Sequence, residues 1–131
     1  MNYQEFKIEQ RKDVDSFPIV FAFSQKQLDE GLAKLGVTLN EVFRLPSGGF
    51  IRKTDSKAFH ELLDRLDRKL SEALLDDDFL LEALEYELGN HEYCITYDPV
   101  PTLNALDLSL DDERVARLFS VACKKYLSYA G

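Results

Sequence analysis

The residues with the clearest potential for chemistry are His91 and Cys94, which follow one another at His-x-x-Cys spacing. This spacing occurs in zinc sites, but zinc needs four protein ligands in a structural site or three in a catalytic site. The chain has only one further histidine, His60, and one further cysteine, Cys123. We therefore expect no metal. We also expect Cys94 to pack as a small apolar residue rather than act as a nucleophile beside His91.

Two other segments invite a chemical interpretation. The glycines of Pro46–Phe50 could suggest a phosphate-binding loop, but the Lys-Ser/Thr pair of a P-loop is absent and a strand pattern follows, so a hairpin turn is predicted. The carboxylates of Asp76, Asp77, Asp78 and Glu82 could bind a hard cation, yet they lack the alternating spacing and glycine of an EF-hand. A carboxylate run is typical of a helix start. We expect no cofactor.

The elements that would position these residues are predicted from hydrophobic periodicity. We expect an α+β fold, with a small, mostly antiparallel sheet covered by about four helices in the order β-α-β-β-α-α-β-α. The helices should begin near Ser24, Ser56, Asp76 and Ser109. The predicted strands are 17–23, which should be buried on both faces, 41–45, 50–53 and 93–97.

The length of 131 residues predicts a single domain spanning residues 1–131. For residues 1–16 the pattern leaves three alternatives open, namely a short strand, an irregular helix or a loosely ordered arm. Leu62, Leu66 and Leu70 should mark the buried stripe of the longest helix.

Charge is distributed unevenly along the chain. The segment Ser71–Glu113 contains thirteen carboxylates and no lysine or arginine, and the whole chain has a formal net charge of −8. Free nucleic acid is therefore a poor partner, and a basic surface on another protein is a better one. The candidate partner-binding residues are the carboxylates around the predicted break between two helices: Glu72, Asp76, Asp77, Asp78, Glu82 and Glu85. The alternative is that the charge only keeps the protein soluble.

The compartment is predicted from what the sequence lacks. No apolar run approaches the roughly 18–20 residues that span a bilayer, and the first dozen residues are too polar for a secretory signal. The two cysteines are expected to be free thiols. We expect a cytoplasmic protein without a membrane partner, and the oligomeric state stays open.

Three short segments resemble a known family when taken together: Phe21–Ser24, Gly48–Lys53, and Tyr86–Leu88 through Asn90–Cys94. The chain resembles an uncharacterised family of small acidic bacterial proteins associated with phages and mobile elements, over most of residues 17–108. The resemblance implies a context in which small acidic proteins often bind host machinery, including defence nucleases. It implies no catalytic residue.

Three functions follow as expectations. The first is a non-enzymatic acidic domain that inhibits a host nuclease or another nucleic-acid-binding defence protein by nucleic-acid mimicry. The second is a small metal- or thiol-dependent enzyme that uses the His91 and Cys94 region. The third is a housekeeping interaction domain with no charge-driven partner.

Overall fold

The computed structural model describes residues 1–130 of the chain. Within them lie seven α-helices, three strands and two short 3₁₀ turns. The helices are α1 (Tyr3–Asp15), α2 (Gln25–Leu35), α3 (Ser56–Ala73), α4 (Asp77–Asn90), α5 (Tyr93–Thr96), α6 (Val100–Ala105) and α7 (Glu113–Ala130). The strands are β1 (Val20–Phe21), β2 (Val42–Arg44) and β3 (Gly49–Arg52), in the antiparallel order β1-β3-β2.

The α+β class and the antiparallel sheet are confirmed, but the helix count and the element order differ from the prediction. Of the three alternatives left open for the N-terminal segment, the structure has a helix, α1. The predicted last strand, 93–97, is the short helix α5. Ile95 and Thr96 donate their backbone N–H groups to Glu92, and Tyr97 donates to Tyr93. The segment thus satisfies its backbone groups locally and needs no strand partner.

The chain divides into two compact units. Unit 1 comprises residues 1–7 and the chain from Arg68 onward, and unit 2 comprises residues 8–67. Unit 1 carries seven basic and fourteen acidic side chains, whereas unit 2 carries nine and ten. Nearly all of the excess negative charge therefore belongs to unit 1, with a net charge of −7 against −1 for unit 2. The single domain stays a prediction.

Unit 2 is built on the sheet, with α2 packed against it. Val20 pairs with Phe50 across β1 and β3, and Val42 pairs with Arg52 across β2 and β3. The side chains of Val20, Val42 and Phe50 form a small core with Leu35 of α2. The hairpin between β2 and β3 is the predicted one, and Gly48 supplies the positive φ of 88° that its turn requires.

The apolar run 17–23 is not a strand buried on both faces. Only Val20 and Phe21 pair with β3, and β1 is an edge strand. The side chains of Phe21 and Phe23 are 54% and 77% exposed. Both rings lie against the hairpin glycines. A Cβ on Gly48 would be 2.6 Å from the Phe23 ring, and one on Gly49 would be 3.2 Å from the Phe21 ring. The glycines leave room for the aromatic rings.

Unit 1 is a helical core centred on α4 and closed by α7. Leu80, Leu84 and Leu88 on α4 are fully buried, at one residue per turn. The residues packed around them from the rest of the unit are Tyr3, Leu74, Leu103, Leu106, Val115, Leu118, Phe119, Ala122 and Tyr126. On α3, Leu62 and Leu66, which belong to unit 2, are buried as predicted, whereas Leu70 of unit 1 is only half-buried. The most deeply buried side chains of unit 1 therefore lie on α4 rather than on α3, the longest predicted helix.

Two helical glycines should respond to alanine in opposite directions. A Cβ on Gly31 would lie 2.9 Å from Cγ2 of Val20, so Gly31→Ala should lower the free energy of unfolding by about 1–3 kcal/mol through overpacking. Gly89 has Cε2 of Tyr126 at an ordinary 3.6 Å, so Gly89→Ala should raise it by about 0.5–1 kcal/mol. Urea denaturation of both variants measures the difference. Equal shifts of the same sign would contradict the close approach of Gly31 to Val20.

Candidate functional site

The predicted acidic site lies where α3 ends and α4 begins. The carboxylate of Asp76 caps α4 by accepting the backbone N–H of Phe79 at 2.9 Å. Asp77 forms an ion pair with Arg114, whose Nε lies 2.7 Å from its Oδ1. The same guanidinium donates to the carbonyls of Leu74 and Leu75 at 2.8 and 3.0 Å. Asp76 and Asp77 therefore contribute to the local structure, and they are less available to a partner.

Three of the predicted carboxylates line one groove. Asp78, Glu82 and Glu85 are spaced four and three residues apart on α4, which places them along one face of the helix. They line a groove of about 600 Å³ whose opposite wall is formed by α7. The other lining residues are Tyr3, Gln4, Leu81, Tyr86, Val121, Ala122, Lys125 and Tyr129. The groove lies wholly within unit 1.

One end of the groove is neutralised by residues of α7. The carboxylate of Glu85 accepts the hydroxyl of Tyr129 at 2.8 Å and lies 3.3 Å from Nζ of Lys125. Burial, followed by the hydrogen bond to Glu85, raises the pKa of Tyr129 to about 12. The hydroxyl therefore stays protonated near neutral pH and acts as a donor. Lys125 is mostly exposed, so its ion pair contributes little to stability.

The other end of the groove keeps its negative charge. Among residues 1–130, the carboxylates of Asp78 and Glu82 take part in no ion pair and no hydrogen bond, and both are exposed. Glu72 on α3 is likewise exposed and unpaired, but it does not line the groove. The six predicted residues thus separate into two with structural contacts, one paired within the groove, and three free carboxylates.

A second cluster surrounds the carboxylate of Glu87, which is only 2% exposed. Its Oε1 accepts the hydroxyl of Tyr3 at 2.7 Å and Nζ of Lys7 at 2.8 Å, and its Oε2 accepts Nδ2 of Asn90 at 3.2 Å. Nε2 of His91 lies 3.3 Å from Oε2, but the two atoms are not oriented for a hydrogen bond. The pairing with His91 is therefore weaker than its distance suggests.

The electrostatics of Glu87 are set by opposing effects. Burial is the largest single influence and raises the pKa of the carboxyl group, but the hydrogen bonds from Lys7 and Tyr3, the charge of Lys7 and the hydrogen bond from Asn90 together outweigh it. The net result is a pKa below the usual value for glutamate. Burial and the bond to this carboxylate raise the pKa of Tyr3. Glu87 is thus ionised and fully engaged, which fits a structural role.

The structure gives His91 and Cys94 different neighbours. His91 faces Glu87 after the end of α4, whereas Cys94 lies on α5, where its interaction with Tyr126 raises the pKa of this tyrosine. Burial raises the pKa of the Cys123 thiol, so this cysteine is a poor nucleophile. Both cysteines are free. Within the part of the chain that the structure describes, no three His, Cys, Asp or Glu side chains are placed to hold a metal ion.

Two features of this region escaped the sequence reasoning. Arg114 and Lys125 neutralise Asp77 and Glu85 from distant positions in the chain, and no local sequence pattern predicts these two ion pairs. The burial of Glu87 did leave a signal, because Ala83 and Glu87 are four residues apart and lie beside the leucine stripe of α4. A charged residue on a buried helix face indicates a partner elsewhere in the chain.

No helix formed by residues 1–130 has the length and apolar character needed to cross a membrane.

The comparisons with known proteins give a family without an assigned function. No curated protein and no solved structure matches the chain. A family model described as "Family of unknown function (DUF7659)" matches residues 2–125, which confirms the resemblance to an uncharacterised family. The chain belongs to this family of unknown function.

Proposed function

We propose that the chain is a non-enzymatic cytoplasmic binding protein whose acidic surface binds a basic surface of another protein. We define the acidic surface as Glu72, Asp78 and Glu82, the three exposed carboxylates of this region without an ion pair. The observation that carries the proposal is this set of free carboxylates within a unit of net charge −7. Uncompensated like charges repel one another, so a basic partner would relieve the repulsion and be attracted over a distance.

The partner we propose is a nucleic-acid-binding protein of a host defence system, such as a nuclease, and the setting is a phage or mobile element. A channel that holds phosphate groups carries a dense positive potential. Asp78 and Glu82 are about 5–6 Å apart by their helical spacing, which makes a row of negative charge that such a channel would attract. The protein would then block the channel by occupying the place of the nucleic acid.

Reversing the acidic surface should abolish partner binding while the fold survives. The variant is Glu72→Lys/Asp78→Lys/Glu82→Lys, which avoids the paired residues Asp77 and Glu85. The wild type should capture a basic, nucleic-acid-binding protein from a bacterial lysate, with binding that weakens steeply as salt rises. The measurement is quantitative capture across a salt series, followed by competition with duplex DNA. A mimic and DNA exclude each other, so the competitor should release the captured partner.

The matched control changes the same amount of charge on unit 2. Glu9→Lys/Glu61→Lys/Asp64→Lys also reverses three exposed carboxylates and raises the net charge by the same six units. This control should retain the partner. Capture that is equal for both triple variants, or that DNA does not compete with, would reject the proposed function.

A further inference from the structure

The groove between α4 and α7 has two free carboxylates at one end and the apolar side chains of Leu81 and Val121 in its lining, and this combination fits one kind of side chain. We propose that the groove holds an arginine side chain of the partner protein, with its guanidinium group between Asp78 and Glu82. This inference rests on the function proposed above and names the contact that would anchor the partner.

The spacing of the two carboxylates suits a guanidinium group. Asp78 and Glu82 are separated by one helical turn, so their attachment points lie about 5–6 Å apart on the same face of α4. A guanidinium group carries five N–H donors in a planar fork and can reach two carboxylates from different edges. A lysine ammonium group is a compact point charge and pairs best with one carboxylate at a time.

The remaining walls suit the aliphatic part of the same side chain. Leu81 and Ala122 line the groove, and Val121 of α7 offers an apolar side chain that is 47% exposed. Three methylene groups of an arginine could lie against these residues while the charged head remains at the acidic end. The groove volume of about 600 Å³ is within the roughly 300–1,000 Å³ range of ordinary binding pockets.

The internal contacts of the groove indicate which end is open. Lys125 and Tyr129 already engage both oxygens of Glu85, so an incoming cation would meet repulsion from Lys125 at that end. Asp78 and Glu82 have no such competitor. A phosphate or another anion would be repelled by both carboxylates. The groove therefore favours a cation over an anion, and it favours the end at Asp78 and Glu82 over the end at Glu85.

The test is a titration of the isotopically labelled full-length protein with the capped pentapeptide Gly-Leu-Arg-Leu-Gly, followed by amide chemical shifts. The comparison peptide has citrulline in place of arginine, which preserves the shape and removes the charge. We expect saturable shifts at Asp78, Glu82 and Val121 with the arginine peptide. The citrulline peptide should bind about tenfold more weakly, since two exposed charge contacts are lost. A lysine peptide should fall between the two.

Two variants separate the groove from general electrostatic attraction. Asp78→Asn/Glu82→Gln should weaken the arginine peptide about tenfold. Asp111→Asn/Glu113→Gln removes two exposed carboxylates of the same unit outside the groove and should leave the affinity unchanged. Equal loss in both variants, equal binding of arginine and citrulline, or no saturable shift would overturn the arginine site. The titration uses no partner protein, so such a result would reject only the arginine site. The proposed function is tested separately by the lysate capture and its competition with DNA.

Discussion

Replacing Leu84 by alanine is expected to lower the free energy of unfolding by about 3–5 kcal/mol. Leu84 is fully buried, and it lies between Leu80 and Leu88 at the centre of the core of unit 1. Its removal loses the transfer free energy of the side chain and leaves a cavity that rigid neighbouring helices cannot fill. Since small proteins have a total stability of about 5–15 kcal/mol, this loss is severe.

Urea denaturation followed by far-ultraviolet circular dichroism measures the change in stability. Leu75→Ala is the matched control, because Leu75 has the same side chain in the same unit but is 75% exposed. Its effect should be small. If the two variants had the same midpoint, the assignment of the buried face of α4 would be wrong.

Glu87→Ala is expected to lower the free energy of unfolding by about 2–4 kcal/mol. This change leaves the hydroxyl of Tyr3 without its acceptor inside the core, and it leaves the ammonium group of Lys7 without its counter-charge. Breaking a fully buried pair costs about 3–5 kcal/mol, but the Lys7 side chain is 38% exposed and can recover water, so the lower range applies here. Urea midpoints of the variant and the wild type provide the measurement.

The contribution of Glu87 should depend on pH with a defined sign. Its carboxyl pKa is lower in the folded protein than in the unfolded chain, so the stabilisation is complete above the unfolded value of about 4.3. It is lost as the pH falls through the folded value, because the unfolded state binds the proton more readily. The stability difference between the wild type and Glu87→Gln should therefore be largest at neutral pH and shrink below about pH 4.

A double-mutant cycle tests whether Glu87 interacts with Tyr3 as an ionised acceptor. Tyr3→Phe removes the hydroxyl donor alone, and a double-mutant cycle with Glu87→Gln isolates the contact between them. We expect a coupling energy of about 0.5–3 kcal/mol. A coupling near zero, or a stability difference that stays constant from neutral to acid pH, would show that Glu87 does not engage its partners as an ionised group.

The helices of this protein could be predicted well where the information is local. Ser24 accepts the N–H of Gln27 and Asp76 caps α4, each as predicted. The last helix begins at Glu113 rather than near Ser109, because the carboxylate of Asp112 accepts the N–H groups of Arg114 and Val115. Segment 93–97 was predicted as a strand and is helical, whereas segment 17–23 does contain a strand, but a short one at the edge of the sheet. Both differences arise because the outcome depends on neighbouring strands. An apolar run becomes a central strand only if two neighbouring strands are available, and an alternation of five residues fits a helical turn equally well.

The candidate site was predictable only in part. The helical spacing of Asp78, Glu82 and Glu85 placed them on one face, and the structure has them in one groove. The spacing could not reveal that Asp77 and Glu85 are neutralised, since their partners lie 37 and 40 residues away in the chain. Long-range ion pairs depend on how helices pack, and that information is spread over the whole core.

The contact between Tyr3 and Glu87 has a consequence for how the protein is made. These residues are 84 positions apart, so Tyr3 leaves the ribosome several seconds before Glu87 at the usual 5–20 residues per second. During that interval the aromatic side chains of the first turn of α1 are exposed to other proteins in the cell. The docking of the first turn of α1 onto α4 is therefore a late step in the folding of a newly made chain.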